Sequence, residues 1–119
     1  MSSTLFTPYK LGPVTLRNRT IRSAAFESMG KDFGPTRQLK DYHVAVARGG
    51  VGMTTLAYAA VCRSGLSFNK QLWLRPEIVP GLHEITDAVH REGAAAAIQI
   101  GHCGNMTHWT TAGQMPIGA

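Results

Sequence analysis

The sequence predicts an α/β protein built on a parallel sheet, and three observations carry that reading. Extended apolar segments alternate with helical ones in the order strand, helix, strand, helix, strand. The last strand, Ala94 to Ile100, is apolar throughout except for Gln99, as expected of a parallel strand with helices over the sheet. Glycines fall where each helix must hand the chain to the next strand, at Gly49-Gly50 and at Gly93, because glycine takes the left-handed cap at little cost.

In chain order, residues 4–19 read as two short extended pieces around a turn at Gly12-Pro13. Thr20 to Ala25 reads as the first buried strand. Thr36, after Gly34-Pro35, is a suitable helix N-cap, since its hydroxyl can accept from an orphan backbone N–H. Leu39, Tyr42, His43 and Val46 follow at helical spacing. Val51 to Ala57 is the second strand, followed by an irregular stretch from Cys62 to Arg75. A second helix starts near Pro76 or Pro80, where a missing N–H does no harm. Leu82, Ile85 and Val89 make its apolar stripe. The last nineteen residues, rich in Gly, Thr and His, read as loop.

A doubly wound sheet and a (β/α)8 barrel both begin this way. The first strand-to-helix turn has no GxGxxG phosphate cradle, which counts against the doubly wound start. Ala95 and Ala97, sharing a face with Gln99, suit a crowded barrel interior.

Bulk properties narrow the class of function. With 119 residues and 44% hydrophobic content, the chain supports one modest core. No apolar run is long enough to cross a membrane, and the opening MSSTLFTPYK lacks the pattern of a signal peptide. Cys62 and Cys103 make no disulfide framework, so a reducing cytoplasm is the expected setting. The net charge of +5 is spread along the chain without the aromatic-basic motif of a nucleic-acid reader.

Three segments resemble old yellow enzyme-like flavoproteins, a group that includes dienoyl-CoA reductase-like enzymes. LFTPYKLGPVTLRNRTIRSA is similar to that family's opening, where a short hairpin caps the barrel floor and an Asn-Arg pair leads into strand one. ARGGVGMTT resembles its glycine pair before strand two, and PGLHEITDAVHREGAAAAIQIGHCGN its helix two and strand three. The resemblance implies the N-terminal part of a (β/α)8 barrel: a hairpin, then about three barrel strands and two helices. It also implies FMN as cofactor, reduced by NAD(P)H, with hydride passed on to an activated alkene or similar small-molecule acceptor.

Candidate site residues lie at the C-terminal ends of the strands, where barrel enzymes build their sites. Gln99 leads them, because a primary amide offers donors and an acceptor that match the pyrimidine edge of a flavin. The resemblance also points to Ala25 and Phe26 after strand one, Tyr58 after strand two and His102 after strand three. Here the chain departs from the family pattern. Phe26 stands where a Thr or Cys could tune a flavin by hydrogen bonding, Tyr58 where a small residue is common, and Asn105 where arginine is usual. Cys103 beside His102 invites a reactive-thiol reading, but a small buried group is the better expectation. His83 and His90 are two turns apart, about 10.5 Å along the axis, and cannot share an ion. No metal is expected. Arg22, inside a strand, needs a carboxylate or the barrel floor.

A complete barrel takes about 250 residues, so the chain reads as an incomplete barrel domain over residues 1–119, interrupted after strand three. The rival reading is a non-catalytic half-barrel subunit or interaction module, completed by a homo-oligomer or another chain. A flavin-free barrel lyase or aldolase is a third.

Overall fold

The computed structural model describes residues 3–118. Strands β1 (Tyr9–Leu11) and β2 (Val14–Leu16) form an antiparallel hairpin around Gly12, whose φ of +56° is the turn conformation expected there. Below the sheet, Arg17 and Asn18 lock the C-terminal ends of both helices to the starts of the strands that follow them. The Arg17 guanidinium donates to the carbonyls of Val51, Glu92 and Ala47, and Asn18 Nδ2 donates to Gly50 O at 2.7 Å. This fork satisfies carbonyls where both helices end, which a planar, permanently charged group does well.

The barrel strands are β3 (Ile21–Arg22), β4 (Met53–Ala60) and β6 (Ala95–Gly101), parallel and adjacent in that order. Helices α1 (Arg37–Arg48) and α2 (Val79–Arg91) connect them. The Thr36 hydroxyl caps α1 by accepting from Leu39 N–H at 3.1 Å. Gly50 (φ +100°) and Gly93 (φ +84°) end the helices as expected. One core joins Leu39 and Ala47 of α1, Ile85 and Val89 of α2, and Leu56 and Ala59 of β4. Both helices therefore cover the same face of the sheet, as on the outside of a barrel.

Four expectations need correction. The first strand spans two residues rather than six, because the chain leaves the β4 edge after Arg22. The second strand runs on to Ala60. A further strand, β5 (Leu72–Trp73), pairs in parallel with Ala59 and Ala60 of β4. It lies in the stretch expected to be irregular, where only two residues are extended and no periodicity can develop. The final segment contains a short helix, α3 (Trp109–Ala112), capped by the His108 side chain and by Gly113 at φ +77°. Ala119 lies outside the described residues.

Candidate functional site

Side-chain alternation sorts the two faces of the sheet. Ala96 and Ile98 pack against the helix-side core, so Ala95, Ala97, Gln99 and Gly101 occupy the opposite, inner face. The small residues leave a shallow floor, and the exposed Gln99 stands on it near the C-terminal end of β6. Ile98 packs outward as expected. Ile100 does not: it is 57% exposed, because β6 is the edge of the sheet and α2 covers it only as far as Ile98.

The ladder between β4 and β6 slips once. Leu56 pairs with Ile98 but Ala59 with Ile100, so three steps on β4 oppose two on β6, the signature of a β-bulge. The Tyr58 ring lies 3.5 Å from where a side chain on Gly101 would begin, over the inner face. Its hydroxyl is hydrogen-bonded to Ser67 Oγ. Among the five candidates, Tyr58 and Gln99 thus share one face near the C-terminal ends of β4 and β6.

Loops bring in the other candidates. Phe26 stacks on Phe68 with ring centroids 4.6 Å apart. The Ala25 carbonyl accepts from Arg22 Nη2 at 2.9 Å. His102 Nδ1 accepts from Gly104 N–H at 2.9 Å, so Nε2 carries the proton of the neutral ring and donates to Ser64 Oγ at 3.2 Å. His102 therefore ties the loop after β6 to the loop after β4. Cys103 reinforces that tie: its N–H donates to Gly65 O, and its thiol faces the Ser64 and Leu66 carbonyls. Both cysteines are free thiols. Among the described residues, no group of acids, histidines and cysteines could hold a metal ion, and no helix is long and apolar enough to cross a membrane.

Buried Gln71 organises the loop after β4. Its Oε1 accepts from the N–H groups of Ser67 and Phe68, at 2.8 and 3.2 Å. Tyr58 and Phe26 thus owe their partners to one amide. Gln71 Nε2 is buried with no hydrogen-bond partner among the described residues.

Sequence reasoning missed the largest polar cluster. The Glu27 carboxylate, 2% exposed, accepts from Arg22 Nη1 at 3.1 Å, from His43 Nε2 at 2.9 Å and from Ala57 N–H at 3.1 Å. His43, fully buried on α1, reaches Thr54 Oγ1 on β4 with Nδ1 at 2.7 Å. Arg22 also lies over the Tyr42 ring. The signal available was Arg22, inside a strand and in need of a carboxylate, with His43 in the apolar stripe of the helix; Glu27 is the acid that meets both. Burial works against the Glu27 charge, but the bonds from His43 and the Ala57 amide outweigh it and hold the carboxyl below its ordinary range.

Comparison with known proteins gives this arrangement a context. The model of the NADH:flavin oxidoreductase / NADH oxidase family matches residues 4–115. A 4,4'-dithiodibutanoate disulfide reductase of Rhodococcus erythropolis is 47% identical over 100 residues, 84% of this chain and 25% of the relative. The structure of an old yellow enzyme homologue from Zymomonas mobilis superposes with a TM-score of 0.86 at 24% identity, over 96% of this chain and 32% of that one. Morphinone reductase in complex with tetrahydroNAD superposes with a TM-score of 0.85 at 25% identity, over 97% and 32%. The chain spans a quarter or less of the length of the curated relatives it matches, 25% and 17%.

Proposed function

Because the chain belongs to the NADH:flavin oxidoreductase / NADH oxidase family, we propose that it forms the opening part of an FMN-dependent reductase. In this reading, NAD(P)H is oxidised and hydride passes through flavin to an activated alkene or similar small-molecule acceptor. The observation that carries the reading is Gln99: an exposed amide on a floor of small side chains, at the end of a parallel strand. The residues present fit a flavin ring there. Gln99 supplies both donor and acceptor, and the Ala95, Ala97 and Gly101 positions leave space above the sheet. A bound FMN would supply the two-electron carrier that no side chain provides.

The chain's own groups orient and enclose. Gln99 would bind the polar edge of the ring. Tyr58, held by Ser67, would bound the site at the end of strand two. Ala25 would contribute backbone rather than side chain, and its carbonyl is already engaged by Arg22. Phe26, stacked on Phe68, would shield the ring but donate nothing to it. His102 would shape the rim through Ser64 and Gly104. Support for a nicotinamide donor comes from morphinone reductase, which binds tetrahydroNAD.

The test uses a protein that carries this segment within the complete barrel. Purified and scanned in the visible range, it should show flavin absorbance that NAD(P)H bleaches. A protein that never takes up flavin would overturn the reading.

A further inference from the structure

The geometry points to Glu27 as a positioning residue: its carboxylate supplies the partner that β3, which ends at Arg22, no longer offers the Ala57 N–H, and so pins β4 at the bulge that sets Tyr58 on the inner face.

Backbone donors of a sheet interior ordinarily bond to the neighbouring strand. Ala57 N–H bonds instead to a side chain, at 3.1 Å from Glu27 Oε1 and 3.3 Å from Oε2. The ladder slips between Leu56 and Ala59, where that donor lies. Without the extra residue, alternation would turn Tyr58 to the helix side, since Thr54 and Leu56 already face it. With it, Ala59 returns to the helix-side core and Tyr58 faces Gly101. Bulges commonly re-aim a side chain in this way.

The carboxylate is held in place from three elements. Arg22 on β3 and His43 on α1 both bond to Oε1. Thr54 on β4 orients the His43 ring, and Arg22 Nη1 also donates to Thr55 O at 2.6 Å. A charged acceptor with three donors on it is well suited to replace a strand partner. The effect of Glu27 on catalysis rests on the flavin reading, whereas its effect on the bulge does not.

The experiment uses the complete protein and two variants. Glu27→Gln removes the charge. Glu27→Asp keeps the charge near Arg22 but shortens the reach to Ala57, which guards against a variant that fails to fold. Amide hydrogen exchange at Ala57 should speed up by about tenfold or more in a folded variant, the size expected for a lost charge-assisted bond. Exchange at Thr54 should stay unchanged. Unaltered protection of Ala57 in both variants would overturn the assignment. In the flavin-loaded protein, each variant should shift the flavin midpoint potential, and the shift should vanish in a Tyr58→Phe background. Equal shifts in both backgrounds would show that Glu27 does not act through Tyr58. A protein without flavin would refute the flavin reading, and the exchange result alone would then decide the role of Glu27.

Discussion

Glu27 stays ionised where burial would otherwise neutralise it, and that balance can be read out by pH. His43 and the Ala57 amide hold its folded-state pKa below the ordinary 4.5 against the opposing effect of burial. A carboxyl depressed in the folded state adds stability above its unfolded pKa and loses it as pH falls through the folded value. Arg22, His43 and the Tyr42 ring are the groups that face this cluster. Thermal melts of the complete protein should thus show Glu27→Gln less stable than wild type near neutrality, by about 3 kcal/mol for a broken buried pair. The two should converge as pH falls through the depressed folded-state pKa of Glu27. A difference that shows no dependence on pH would assign the loss to packing instead. Gln99 gives the second prediction at this scale. Gln99→Ala in the complete protein should weaken FMN retention by about tenfold, the worth of a hydrogen bond or so, with the melt unchanged because Gln99 is exposed. Flavin content and potential equal to wild type would remove Gln99 from the site. Gln99 was legible in the sequence because it is the lone polar residue in an apolar strand. Glu27 was not, because its partners Arg22, His43 and Ala57 converge only through the fold.

Among the elements, those with a long apolar period, a chemical stop or a turn such as Gly12-Pro13 were legible, whereas the length of β3 and the existence of β5 and α3 were not. Thr36, Gly50 and Gly93 mark helix ends by chemistry that acts locally, and each does so in the structure. β3, β5 and α3 are two to four residues long and held by neighbours rather than by their own pattern. The hairpin and the α2 stop offer a controlled comparison of two left-handed glycines. Gly12 has φ +56° and open space around it, whereas Gly93 has φ +84° with Arg17 Nη1 2.9 Å from the position of an added Cβ. Gly12→Ala should therefore cost only the backbone penalty of about 1–2 kcal/mol. Gly93→Ala should cost more, since it also displaces the guanidinium that bonds the Val51, Ala47 and Glu92 carbonyls. Denaturant midpoints of the two variants give the ranking directly. Equal losses would mean that Arg17 moves aside freely and that the floor clamp contributes little.

For the whole molecule, the sheet geometry predicts what the 119 residues do in isolation. β6 pairs on one side only, with β4, and leaves Ile100 and Gln99 exposed at the open edge. Unpaired strand amides and uncovered apolar side chains recruit further strands. The hairpin side carries exposed Tyr9, Leu11, Val14 and Ile21 as well. Expressed alone, the segment should therefore self-associate and be colourless. A flavin ring could meet Gln99 and Tyr58, but FMN also carries a phosphate, and barrels of this kind bind phosphate at the loops after strands seven and eight. Ring contacts alone leave that charge in solvent. A chain that continues through the remaining strand–helix units should instead be monodisperse with respect to this edge and yellow. Sedimentation velocity and a flavin titration on both proteins make the comparison. Tight, stoichiometric FMN binding by the 119-residue segment would place the phosphate site within this segment and move the site away from the strand ends. A defined oligomer of the segment with a protected β6 edge would favour the half-barrel interaction module over the reductase.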